Sequence, residues 1–169
     1  MPKAIKTFVK WVDTVNRAVG EFSMYIVLVM TAILVFESIS RTIFSRPHIW
    51  VVEMIEFLMA AYYLLGGGYS MILKGHVRMD LLYGRWSPKG KAIADLLTAP
   101  FLIFYLVFLL IGGLSGLQYA LEYGQKNYTS WGPPLAPIKA IMVLGIVLML
   151  LQAIATFFKD WATAKGEEL

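Results

Sequence analysis

In the run GHVRMDLL, residues 75–82, His76, Arg78 and Asp80 fall within five residues, a cluster that could ligate a metal, shuttle a proton or anchor a turn. Two further ionisable groups sit in otherwise apolar stretches: Glu37 with Arg41, and Glu53 with Glu56. A carboxylate in such a place can couple ion movement to transport, or it can hold a helix against a neighbour through a hydrogen-bond donor. Ionisable side chains inside a bilayer cost ~2.5 kcal/mol or more each, so they face protein or water and find partners.

Spacing separates these readings. Glu37 lies four residues before Arg41, the favourable order for an ion pair along one helix. Glu53, Glu56, Ala60, Tyr63, Gly67, Ser70 and Lys74 recur at helical spacing and form one stripe of charge and small residues, which is expected to face protein. In a functional reading Glu53 or Glu56 is a proton- or cation-coupling carboxylate. In a structural reading they pair with Arg41 or with basic groups on a partner subunit. The structural reading is preferred, because coupling sites come with broken helices and repeated halves that place dipole ends and carbonyls at the midplane. The sequence has neither. For His76, the only other histidine is His48, assigned to the opposite membrane face, so a hydrogen-bonded anchor is expected in place of a two-histidine metal or haem site.

The elements that must position these residues follow from composition. The 169-residue chain is 59% hydrophobic and 15% charged, oilier than ordinary soluble domains at roughly 45–50% apolar. A spanning helix needs ~20 mainly apolar residues. Four stretches qualify, at about 22–44, 50–73, 92–121 and 135–158, and little chain remains outside them, so the chain reads as a single membrane domain, 1–169. The expected fold is therefore an all-α integral membrane protein with four transmembrane helices plus amphipathic interfacial helices.

Eleven basic residues fall in the N-terminal segment, the link between spans two and three, and the tail; four fall on the other side. The positive-inside rule then places both termini of this multi-pass membrane protein in the cytoplasm. The N-terminus does not read as a cleavable signal, because its apolar residues are dispersed among charges. Over residues 2–19, Ile5, Phe8, Val12, Val15 and Val19 share a helix face with Trp11 beside them, and Lys6, Lys10, Asp13 and Arg17 oppose them. That pattern predicts an amphipathic helix lying in the membrane interface, with Phe8 and Trp11 as anchors; packing against a soluble partner is the alternative. A second short interfacial helix is expected over 76–86, anchored by Met79, Leu82, Tyr83 and Trp86.

Ser87 and Pro88 suit the cap and first turn of the next helix, in which Pro100 offers a bend and GGLSG, 112–116, a close-packing surface. The segment YGQKNYTSWGPPLAPIK should end span three in an ordered turn, with Trp131 at the interface and Pro137 in the first turn of span four.

Cysteine is absent, which removes disulfides, thiolate ligands and a cysteine nucleophile. No nucleophile constellation is visible, so the residues name no catalytic, metal or substrate-binding group in this chain, and no cofactor. The transporter alternative left by the residues alone is an autonomous proton-coupled exporter working as a homodimer.

Order and spacing of these features resemble the small membrane subunit, DctQ or Q, of tripartite ATP-independent periplasmic (TRAP) transporters. The resemblance is carried by EMIEFLMAAYYLLGGGYSMILKGHVRMDLL, 53–82, by the Glu37–Arg41 segment and by WGPPLAPIK, and it extends over essentially the whole chain. The family pattern of a span-two glutamate and a later G-H-V-basic-x-D run fits at Glu53 or Glu56 and at Gly75, His76, Val77, Arg78 and Asp80. The resemblance implies a non-enzymatic scaffold that anchors a large elevator-type (M) subunit within the lipid bilayer, with no nucleic acid among its partners. It further implies that sodium and substrate bind the M subunit, and that a periplasmic binding protein delivers an organic acid anion such as a C4-dicarboxylate, keto acid or sialic acid. Glu37, Arg41, Glu53, Glu56, Tyr63, Gly67, His76, Arg78, Asp80 and Trp131 are then subunit-interface or structural polar residues.

Overall fold

A computed structural model of the chain describes residues 3–73, 86 and 88–166, with only the backbone of Pro88 and Lys89. The expected interfacial helix over 76–86 lies almost entirely outside the described residues, as do His76, Arg78, Asp80, Met79, Leu82, Tyr83 and the capping residue Ser87. The described chain forms four helices: α1 (Lys3–Phe44), α2 (Trp50–Ile72), α3 (Pro88–Glu122) and α4 (Ala136–Lys165). Among the described residues there is no strand, and one isolated bridge joins Lys126 to Pro134. Each helix is long and apolar enough to cross a membrane.

Helices form here because apolar residues with few breakers leave the backbone no better hydrogen-bonding partner than itself in lipid. Their outer faces are oily: Phe22, Tyr25 and Leu28 on α1 and Phe101, Phe104 and Phe108 on α3 are all exposed. Such a surface fits a hydrocarbon solvent and not water.

Successive helices alternate in direction. α1 packs on α2, α2 on α4, the first third of α1 on the Leu148–Lys159 stretch of α4, and α3 makes its extensive contact with α4. Glycines set the separations. Gly20 lies beneath the Tyr69 ring, Gly68 beneath the Asn16 amide, and Gly145 against the backbone of Leu64, whose carbonyl oxygen would be 2.6 Å from an added Cβ. Lipid gives helices no hydrophobic reason to associate, so close backbone approach and interhelical hydrogen bonds must hold the bundle. Within the 112–116 segment, Gly113 and Gly116 face α4 and Gly112 is open.

Two expected elements differ from the structure. The segment 2–19 and the first span are one continuous helix of 42 residues, about 63 Å long at about 1.5 Å per residue. The N-terminal apolar stripe is covered by protein: Val9 and Val12 are buried with Ala155, and Ile5, Phe8, Leu151 and Phe158 pack around them. An amphipathic pattern says that one face is covered, and α4 covers it here. α4 also runs to Lys165, beyond the expected 158, so α1 and α4 extend together past the end of α2. The helix α3 continues through Pro100.

Left-handed residues follow three of the helices. Ser45 (φ 52) follows α1, Gly124 (φ 57) follows α3 and Gly166 (φ 75) follows α4. Past Gly124, the Gln125 amide donates to the Ala120 carbonyl (3.1 Å), Asn127 to Pro133 (2.9 Å) and Leu135 to Gln125 (2.9 Å), which orders the 123–135 loop as anticipated. Trp131 stands partly exposed in that loop, and Pro137 falls in the first turn of α4.

Candidate functional site

At the end of the bundle that carries the α1–α2 turn, Glu37 is a hub. Its Oε1 accepts from Arg41 Nε (3.3 Å) and Nη2 (3.0 Å), and Oε2 lies 3.0 Å from His48 Nδ1. The His48 backbone N–H reaches both oxygens at 3.3 Å. With the ring in its Nδ1–H tautomer, His48 donates twice to one carboxylate. Ser40 Oγ adds a bond to the Arg46 carbonyl (3.1 Å). Glu37 therefore staples the end of α1 to the start of α2.

The Glu37–Arg41 pair is legible from spacing; His48, eleven residues along the chain and outside any helical period, is not. Arg41 is largely exposed while Glu37 is buried, and exposed partners contribute little. Glu37→Ala is accordingly expected to lower the thermal stability of the detergent-solubilised protein more than Arg41→Ala or His48→Ala alone. Limited proteolysis should then cut first within 45–49.

At the opposite end α1 and α4 are tied by a polar chain that the sequence reading did not single out. Asp13 accepts from Lys159 Nζ (2.8 Å at Oδ1, 2.7 Å at Oδ2) and from Gln152 Nε2 (2.9 Å). Gln152 Oε1 accepts from Asn16 Nδ2 (2.9 Å), which also approaches the Val12 and Leu148 carbonyls. Gln152 and Asn16 are fully buried. One signal was available: Gln152 is the lone amide in the apolar run of α4. The sequence alone places Asp13 on the polar face of the N-terminal helix and Lys159 among the basic residues of the tail, because pairing across 146 residues leaves no local trace.

A third tie joins α3 to α4. Lys139 Nζ donates to Gln125 Oε1 (2.7 Å) and to the Gly116 carbonyl (3.1 Å), which has no side chain to shield it. A cation is poorly placed in the first turn of α4 but well placed near the C-terminal end of α3. From the sequence alone Lys139 is only one of the four basic residues on the side of the membrane opposite the termini.

On α2 the expected stripe divides. Val51, Glu53, Ala61, Leu65 and Gly68 face inward, and Gly67 packs under Met149, whose sulfur would lie 2.6 Å from an added Cβ. Glu53 is buried, and its Oε2 has no hydrogen-bond partner among the described residues. Glu56 and Tyr63, seven residues apart, point outward, together with Val52 and Met59. Arg41 is engaged by Glu37, so neither Glu53 nor Glu56 is paired with it. Beside Tyr63, an open groove of about 450 Å³ runs between α1 and α2, lined by Gly20, Ser23, Tyr62, Gly66 and Ser70.

Of the expected anchors, Phe8 belongs to the α1–α4 contact, while Trp11 and Trp86 are exposed. Among the described residues no three His, Cys, Asp or Glu side chains are grouped to hold a metal ion.

Among the described residues the arrangement is a bundle closed by three internal polar ties, with the Glu56 carboxylate outside them on the outer face of α2. A family model described as tripartite ATP-independent periplasmic transporters, DctQ component, matches residues 30–163, from the middle of α1 to two residues short of the end of α4. No curated protein matches the chain.

Proposed function

The chain belongs to the DctQ component family of tripartite ATP-independent periplasmic transporters, and from that premise we propose that it is the fixed scaffold subunit of a sodium-driven importer of an organic acid anion. As a DctQ component it is a multi-pass membrane subunit that works with a large membrane subunit and a periplasmic binding protein. Family membership displaces the autonomous exporter.

In the proposed complex both termini lie in the cytoplasm and the bundle sits in the inner membrane, consistent with the excess of basic residues in the N-terminal segment, the 74–91 link and the tail. The large subunit carries sodium and substrate, and the anion is a C4-dicarboxylate, a keto acid or a sialic acid. One observation carries the scaffold reading. Glu37, the Asp13–Asn16–Gln152–Lys159 chain and Lys139 spend their hydrogen bonds tying helix to helix, an arrangement suited to holding still.

Proteoliposomes test it. The isolated chain should take up none of these anions, whereas the chain with its large subunit and binding protein should give uptake that follows the sodium gradient. Uptake by the isolated chain contradicts the proposal.

A further inference from the structure

We infer that the outward face of α2, formed by Val52, Glu56, Met59 and Tyr63, is the surface that receives a membrane helix of the large subunit, and that this helix presents a basic side chain to Glu56. The inference rests on the proposed scaffold role and assigns that role to one face.

Glu56 is the seventh residue of α2, a 23-residue helix, about 9 Å from its start at about 1.5 Å per residue. The contacts of Gly20 with Tyr69 and of Gly66 with Ser23 fix the antiparallel register of α1 on α2. That register sets Glu56 opposite the apolar Ala32–Leu34 stretch of α1, about one helical turn deeper than Glu37. Unlike Glu37, Glu56 has no hydrogen bond or ion pair among the described residues, and it is exposed. A carboxylate on an outward face at that depth is costly until a donor covers it.

Charge complementarity selects the occupant. Lipid tails offer no donor, and a second copy of this face would bring Glu56 against Glu56, a like-charge contact. On the outward face of α1, Phe22, Tyr25 and Leu28 are accompanied by exposed Glu21, but the contact of neighbouring Gly20 with Tyr69 sets that carboxylate level with the last turn of α2, at the end of the membrane segment, while the exposed Phe101, Phe104 and Phe108 of α3 suit lipid. A helix with Lys or Arg at the depth of Glu56 neutralises both charges at once. Below Glu56, Met59 offers an adaptable apolar contact and Tyr63 an aromatic ring with a hydroxyl. The open groove beside Tyr63, floored by Gly66, lets the incoming helix approach closely.

The test uses the co-expressed complex, with a benzophenone amino acid at Met59 or Tyr63, or at Phe104 or Phe108 as controls. Cross-links to the large subunit are expected from 59 and 63 and not from 104 or 108. In parallel, Glu56→Lys should reduce co-purified large subunit by roughly tenfold or more, as expected when a paired interfacial charge is reversed. It should leave the thermal stability of the isolated chain unchanged, because Glu56 has no partner among the described residues. Cross-links from 104 or 108 alone, self-cross-links from 63, an intact complex without protein cross-links from 59 and 63, or Glu56→Lys without effect on co-purification each overturn the inference while leaving the scaffold role standing. Failure of the wild-type chain to co-purify with the large subunit overturns both.

Discussion

A Gly145→Val variant is expected to fold poorly or not at all, and Gly145→Ala to lose stability at the upper end of the overpacking range, about 1–3 kcal/mol. A Cβ at 145 would lie 2.6 Å from the Leu64 carbonyl oxygen, 2.9 Å from its carbonyl carbon and 3.1 Å from its Cβ. Two of those atoms are backbone in the middle of α2, so no rotamer change relieves the clash and the helices must separate. Separation removes the contact between α2 and α4 along its length, because dispersion falls off within an ångström.

Comparison variants isolate the cause. At Gly67 the nearest atom is the Met149 sulfur, the end of a flexible side chain, so Gly67→Ala should cost much less. At Gly112 nothing lies within 4 Å, and Gly112→Ala should be neutral or stabilising by about 0.5–1 kcal/mol from helix propensity. Thermal unfolding in one detergent, read by loss of monodisperse protein, ranks the four variants. Equal losses at 145 and 67 would refute the backbone-contact explanation.

The second large effect is expected from Gln152→Leu. The substitution keeps approximate volume but strips a hydrogen bond from Asn16 Nδ2 and another from Asp13, at a site that is fully buried. Leaving a buried polar group unpaired costs about 1–3 kcal/mol in soluble proteins, while interhelical bonds in membranes average about 0.6 kcal/mol. With two bonds lost, and with Asn16 Oδ1 already lacking a partner, a loss of about 1–2 kcal/mol is predicted. The double variant Asn16→Leu/Gln152→Leu should recover part of it, since removing both partners is milder than orphaning one. Additive losses in the double variant would show that the amides do not act as a pair. Residues 13 and 16 precede the segment matched by the family model, so this tie is a feature of the present chain beyond what that match covers.

The four spans were legible because bilayer thickness imposes a length and a composition that any window detects. Glu37–Arg41 was legible because helical neighbours are four residues apart. Tertiary partners were not: His48 reaches Glu37 only after the chain turns, and Lys139 reaches Gly116 and Gln125 only because α3 and α4 lie side by side. The N-terminal stripe of Ile5, Phe8 and Val12 was expected to lie in the membrane interface, and in the structure it packs on protein. Amphipathicity does not name the cover, and α4 proved to be it. On α2, seven residues at helical spacing suggested one protein-facing stripe. That stripe is wide enough to straddle an edge of the helix, so Glu53 and Gly67 turn in while Glu56 and Tyr63 turn out.

In the proposed complex this subunit stays rigid while the large subunit moves. The chain has no cysteine, so a pair of spin labels can be placed cleanly at exposed Thr7 on α1 and at Tyr128 in the α3–α4 loop, at opposite ends of the bundle. Their distance distribution is to be measured by pulsed electron resonance in the reconstituted complex, with and without sodium and substrate, under conditions where the same vesicles transport. A single, unchanged distribution is the predicted result; a shift or a second peak on adding sodium and substrate would contradict the account.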